Sequence, residues 1–343
     1  MLRKETLDRL RRLSQRLGKQ SRKSSYPSSS STPGNNETTA STTEPHTTSY
    51  SAAIRQRLNQ PGTQKRKRQR LLFADSASHS GLASHSGLAT GHEVANDAGR
   101  YWLVRRPLPR LWKATQSYLQ TWRSNDSQQP SVSPSESTPN PKAKDSLTPI
   151  EQIQQHPDYC AFHRHFPNEC LFLDLETCGF AGAAIFLAGV IHTLNGELVL
   201  SQLWARNYAE ERALLRALGE LLVDKKVLVT FNGKTFDWPQ VRDRTILYSG
   251  SADCGLPELI HVDLLHLSRR RWKRQLTNCK LQTLERHICG RQRFDDVPGR
   301  EIPEVYQDYV RTGDTTMVDG VLHHNALDLV TLLQLSLIVG QPE

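Results

Sequence analysis

The sequence predicts an α/β fold, a mixed sheet with helices on its faces, preceded by a long N-terminal region that has no core of its own. Three observations carry this. From about residue 147 to 340, apolar segments of strand length alternate with longer segments of helical periodicity, in the order β-β-β-α-β-α-β-α. Residues 20–91 are rich in Ser, Thr and Pro and nearly lack large apolar side chains. The net charge of +9 is also unevenly spread: residues 1–125 hold 22 Lys and Arg against 7 Asp and Glu, and the remainder holds 22 against 28.

Taken in order, residues 2–19 place Leu7, Leu10, Leu13 and Leu17 near one face of a short amphipathic helix, marginal on its own. The rest of 1–91 reads as a mostly disordered basic arm. It contains the cluster KRKRQR (65–70) and a tandem SHSGLA (78–83 and 84–89) too short to be a structural repeat. A basic arm is a plausible footprint for nucleic acid, or simply a solvated tail. Residues 92–122 form a short strand and helix segment, GRYWLVRRPLP then LWKATQSYLQTW, and 123–146 is a second disordered, Pro-rich linker. The folded body spans 147–343. CLFLDLE (170–176) reads as a buried strand. AIFLAGVIH and ELVLSQLWA are the next two, closed into a hairpin by Leu194-Asn195-Gly196. A helix follows at 208–222, then the strand VLVTF (227–231), a helix from near Phe236, the strand LIHVDLL, and an apolar helix at about 316–339.

Six cysteines, at 160, 170, 178, 254, 279 and 289, show neither a CxxC pair nor a zinc spacing, so they read as reduced thiols. The first twenty residues lack a signal-type apolar core, and the longest apolar run, AAIFLAGVI (183–191), is too short to span a bilayer. A cytoplasmic protein without a membrane partner is expected.

Four acids stand where apolar residues would be ordinary. Asp174 and Glu176 lie two apart on one strand and so share a face. Asp237 follows a strand and a Gly-containing turn, where the alternative role is a helix N-cap. Asp328 lies among leucines on the last helix, one turn after His324. Buried carboxylates are costly unless paired or metal-bound. Hard oxygen donors imply Mg²⁺ or Mn²⁺ rather than zinc. Four acids drawn from distant segments fit two-metal phosphodiester hydrolysis, with a neutral His323 or His324 accepting a proton from the attacking water.

DLET, NGKTFDWP and HNALD resemble the three exonuclease motifs of the DEDD group in the ribonuclease-H-like superfamily. The likeness is closer to one branch, the YprB-like ribonuclease-H-like domain, and extends through LVTFNGKTFDWPQVRDR, HVDLLHLSRRRWKR, CKLQTLERHICG and DDVPGREIPEVYQDYVRTGD, over about 168–340. The resemblance implies a mixed five-stranded sheet, two Mg²⁺ or Mn²⁺ ions held by Asp174, Glu176, Asp237 and Asp328, and 3′–5′ exonuclease activity on single-stranded DNA or RNA. The spacing NxxxFDxP is similar to that of exonucleases with a Tyr helper, which places His324 rather than His323 in the helper position. Two departures are the His in place of that Tyr, and TCGFAGAA in place of a TTG-like turn.

For substrate contacts the candidates are Thr177, Asn232 and Lys234 near the acids. Arg270, Trp272 and Lys273 join them from the basic and aromatic run 269–274, where phosphate contact and base stacking would suit a single strand. Asp263 is either a carboxylate that supports the site from behind or the cap of the helix carrying that run, and the cap is favoured. Glu285 and Arg286 read as helix-surface residues or an ion pair. Two other functions remain open: a nucleic-acid-binding module without turnover, and a structure-specific endonuclease with the same metals.

Overall fold

The computed structural model describes residues 91–126, 147–179, 182–251, 255–294 and 296–342, all within one compact unit spanning 54–343. The basic arm with its helix at 2–19, and the linker from 127 onward, lie outside the described residues.

Seven strands form one sheet in the order β1-β2-β5-β4-β3-β6-β7. They are β1 (His92–Asn96), β2 (Gly99–Pro107), β3 (Cys170–Thr177), β4 (Ile185–Leu194), β5 (Glu197–Trp204), β6 (Val227–Thr230) and β7 (Ile260–Asp263). The first five in that order pair antiparallel, whereas β3-β6 and β6-β7 are parallel. The β4-β5 hairpin turns on Asn195 and Gly196, at φ 52° and 82°. Two successive left-handed residues suit the right-handed twist of the flanking strands.

All five strands expected in the body are present, but the sheet is wider than five. The segment from 92 onward adds a hairpin rather than a single strand. β2 buries Tyr101, Leu103 and Val104 and pairs along β5 from Trp102↔Trp204 to Pro107↔Val199, while β1 covers its outer edge. An apolar edge strand is thereby paired instead of being left open. The helices of this segment are α1 (Leu108–Leu111) and α2 (Thr115–Asp126), and α2 takes up the first residues assigned above to the linker.

The remaining helices are α3 (Pro149–Gln154), α4 (Pro157–His165), α5 (Glu211–Leu222), α6 (Asp237–Ser249), α7 (Leu264–Trp272), α8 (Leu281–His287), α9 (Ile302–Thr312) and α10 (Val318–Ile338). α3 opens with a capping box between Thr148 and Glu151. Alternation along β3 separates two cores. Leu171 and Leu173 pack on one face with α5 and α9; Cys170 and Phe172 pack on the other with α2, α4, α7 and most of α10. Asp174 and Glu176 continue the Phe172 face, so the strand's own pleat aims them toward α10. α10 is apolar nearly all round and, by length and composition, could cross a membrane, but 83% of its most apolar stretch is buried inside the fold. It is a core helix between layers.

The loop after β3 is tied to α5 and α6. Gln240 donates to the Ala183 carbonyl at 2.7 Å and accepts from Gly182 N–H at 3.0 Å. Glu211, 1% exposed, accepts from Ile185 N–H at 2.8 Å, from Tyr248 at 2.7 Å and from the forked guanidinium of Arg244. Removing one partner of a buried, hydrogen-bonded ion pair strands the other, so Glu211→Ala is expected to lower unfolding free energy by about 3–5 kcal/mol in a urea titration.

Candidate functional site

β3 outruns its neighbour β6. β6 pairs only with Cys170, Leu171 and Phe172, while β4 accompanies β3 as far as Thr177 through a register shift at Glu176/Thr177. Past Phe172, the edge of β3 that faced β6 is therefore open, and Asp174 and Glu176 sit there, half-buried. Asp237 enters from that side as the first residue of α6 and receives a hydrogen bond from the Leu175 backbone. It is not an N-cap: Phe236 holds that position and makes no side-chain cap bond.

The turn that delivers Asp237 is tightly specified. Asn232 adopts φ 65°, and a Cβ on Gly233 would lie 2.4 Å from the Thr230 hydroxyl. Asp263, at the end of β7, caps α7 through Leu265 N–H at 3.1 Å. The same carboxylate accepts from Asn232 N–H at 2.7 Å and Lys234 N–H at 3.2 Å, so it also braces the turn. The sequence favours the cap over a supporting carboxylate, and here the bonds to the turn accompany the cap.

The fourth acid arrives on α10, which is seated by a polar row across the sheet. Asp174, Gly189 and Gln202 are register partners on β3, β4 and β5. Asn325 lies over them, donating to the Asp174 carboxylate at 2.8 Å and accepting from Gln202 at 2.9 Å. A Cβ on Gly189 would meet Asn325 Oδ1 at 2.0 Å, so this strand glycine exists to let α10 approach. Asn325 in turn fixes the azimuth of α10, placing His324 and Asp328 over the open end of β3.

The charges there are strongly perturbed. Burial and then the charges of Asp328, Glu176 and Asp237 push the Asp174 carboxyl well up. Burial likewise raises Glu176 to about 8, with Asp328 and Asp237 adding to it while His324 opposes. Asp237 rises to about 7 by burial, against the hydrogen bonds from its own and the Leu175 backbone. Asp328 moves the other way: burial would raise it, but hydrogen bonds from His324 and Arg293 and their charges prevail. Burial disfavours the His324 cation, yet Asp296 and Asp328 lift it to about 11. Its Nδ1 lies 2.9 Å from Asp296 and its Nε2 3.4 Å from Asp328. A carboxylate at each ring nitrogen favours the charged, donating form of this ring, whereas the sequence suggests a neutral helper.

Among the described residues no three His, Cys, Asp or Glu side chains converge closely enough to hold a metal ion as they stand. Asp328 is engaged by two cationic side chains: its Oδ1 accepts from Arg293 and its Oδ2 faces His324. The donor set itself fits a divalent cation: the carboxylates are hard oxygen ligands whose ionisation is opposed by one another, the situation a bound cation relieves.

The expected substrate contacts divide. Thr177 is half-buried and donates to the Gly179 carbonyl at 3.0 Å; Lys234 is exposed and paired with Asp158 at 3.0 Å. Arg270 and Lys273 are exposed on and just after α7. Trp272 is a correction: at 4% exposure it belongs to the core and offers no stacking surface. Its neighbour Arg271 is buried too, donating to the carbonyls of Val339 and Gln341 at 2.9 and 2.5 Å. The helical period places 271 and 272 inward and 270 and 273 outward, which an unphased basic run conceals. His323 is half-buried. Glu285 is a buried ion-pair partner of Arg291 and Arg293, whereas Arg286 is exposed. Arg293, Asp296, Asn325, Gly189 and Gln202 were missed; the only sequence signal among them was a glycine inside an apolar strand.

Residues 171–338 match the family model of the RNase H superfamily. Over 172 residues the chain is 38% identical to the uncharacterized protein YprB of Bacillus subtilis (strain 168), which covers 49% of this chain and 41% of that protein. The chain thus spans less than half the length of that relative. A family B DNA polymerase from the archaeon Pyrobaculum calidifontis superposes with a TM-score of 0.39 at 17% identity, covering 50% of this chain and 24% of the polymerase.

Two outcomes follow from this geometry. Gly189→Ala is expected to lower stability by about 1–3 kcal/mol in chemical denaturation, because Asn325 and α10 must move. Carboxyls raised to about 8 and 7 bind protons that metal must displace. Their folded values exceed the unfolded ones, so without metal the stability they contribute is full below about 4.5 and is lost as pH rises through 7 to 8. The melting temperature without metal should fall from pH 5 to pH 8.5, and the rise on adding Mn²⁺ should be larger at pH 8.5 than at pH 6.

Proposed function

This chain is a YprB-like member of the ribonuclease-H superfamily, and from that premise we propose that it is a metal-dependent nuclease acting on single-stranded DNA or RNA, in 3′–5′ exonuclease mode. The observation that carries the reading is the gathering of Asp174, Glu176, Asp237 and Asp328 at one open strand end, close enough that each raises or responds to the ionisation of the others. Buried mutual repulsion of this kind is a poor way to stabilise a fold and a common way to prepare a catalytic centre.

In this reading the four acids would hold two Mg²⁺ or Mn²⁺ ions. Such ions, when bound, lower the pKa of an attacking water and stabilise the leaving 3′ oxygen. The chain's own residues do the rest. Asn325 orients the Asp174 carboxylate. Asp263 and the Leu175 backbone hold the turn and the carboxylate of Asp237. Asp296 holds Nδ1 of His324 and so directs Nε2 toward Asp328 and the open end of β3. With a cation on Asp328, Asp296 would be the remaining carboxylate partner of His324, which would then be the group able to move a proton. Exposed Arg270 and Lys273, together with Lys234, are the phosphate contacts.

A second reading, a nucleic-acid-binding module without turnover, is favoured by one observation, the engagement of Asp328 by Arg293. The two are separated by incubating purified protein with end-labelled DNA and RNA oligonucleotides and Mn²⁺. Stepwise shortening from the 3′ end is expected, with a loss of at least about a hundredfold in Asp174→Ala. Binding without shortening would favour the module, equal activity in the variant would remove the acids from the chemistry, and cutting of a circular strand would make the enzyme an endonuclease.

A further inference from the structure

Arg293 touches the site through Asp328 and has no role in the nuclease reading above. Its side chain is 8% exposed and touches three carboxylates: Nε donates to Glu285 at 2.5 Å, Nη1 to Asp296 at 3.2 Å, and Nη2 to Asp328. Glu285, 1% exposed, is also held by Arg291 at 3.3 Å. Arg291 in turn bonds Thr331 and Gln334 on α10, at 2.8 and 2.7 Å. The guanidinium is therefore anchored on two anions that are not among the four acids, and it reaches a third that is.

We propose that Arg293 is a built-in counter-cation that occupies the Asp328 position and yields it when a divalent ion is taken up, so that this residue sets the metal affinity of the site. The proposal rests on the reading of the four acids as a cation site. The guanidinium of Arg293 takes Oδ1 of Asp328 in a charge-assisted bond, and its charge repels a divalent ion on that carboxylate, so an incoming ion has to displace it. The exchange is feasible because Arg293 surrenders one partner of three and keeps Glu285 and Asp296; no buried charge is stranded. Arg293 thus keeps the carboxylate compensated when metal is scarce and makes occupancy a competition.

The test is Mn²⁺ binding by titration calorimetry and electron paramagnetic resonance, with no substrate present. Arg293→Gln is expected to bind Mn²⁺ about tenfold more tightly than the unaltered protein, the scale of one lost competing charge-assisted hydrogen bond. Arg293→Lys keeps a positive charge beside Glu285 but loses the fork that spans three carboxylates, so its affinity should fall between the two. Arg300→Gln removes an exposed charge nearby and should leave binding unchanged. If Arg293→Gln does not fold, the Lys variant decides. Unchanged or weaker binding in the folded Arg293 variants, with binding in the unaltered protein that depends on Asp174, overturns the role of Arg293 alone. Failure of the unaltered protein to bind Mn²⁺, or binding undiminished in Asp174→Ala, overturns the cation site itself.

Discussion

Everything at the functional end of this domain answers one electrostatic constraint: four carboxylates share a small, partly water-excluded space where β3 emerges beyond β6. In such surroundings like charges interact several-fold more strongly than in water. The protein meets the constraint in two ways. Asp174, Glu176 and Asp237 are displaced upward in pKa, so that part of their charge is absent near neutral pH. Asp328 keeps its charge because His324 and Arg293 stand against it. The two cations are themselves anchored by Asp296 and Glu285, acids outside the set of four.

The scaffold that holds this arrangement is ordinary α/β packing with a few specific contacts. Pleat alternation aims Asp174 and Glu176 at α10 because Phe172 already points to that core. A glycine in β4 lets α10 come close enough for Asn325 to bridge Asp174 and Gln202. The network of Glu211, Arg244 and Gln240 ties the loop after β3 to the helix that begins with Asp237. Two of the acidic motifs are thus coupled through α6, and the third is coupled to the first through Asn325.

Much of the fold was legible because each strand and most helices obey a single period. β3 to β7 read as short apolar runs, and α5 and α10 as leucines at helical spacing. The hairpin of β1 and β2 was half hidden, since HEVAN is polar and only its pairing with β2 makes it a strand. In the site, the four acids were legible from their improbable positions. Arg293 and Asp296 were not, because they lie in an aperiodic stretch between α8 and α9 and matter only through the tertiary fold. The basic run at 269–274 was misread at Trp272 for a related reason: composition suggested a stacking surface, but the phase of α7 sends 271 and 272 into the core. Asp263 was read as a cap, which it is, yet its bonds to Asn232 and Lys234 depend on β7 lying beside β6.

The central claim is that these four acids constitute a divalent-cation site. It is tested most directly by crystals grown with and without Mn²⁺, with anomalous scattering recorded at a wavelength where manganese contributes strongly. The account predicts anomalous peaks between β3 and α10, ligated by Asp174 and Asp328, with Arg293 drawn off Asp328 but still paired with Glu285. An empty site at millimolar Mn²⁺, with the guanidinium still on Asp328, would contradict it.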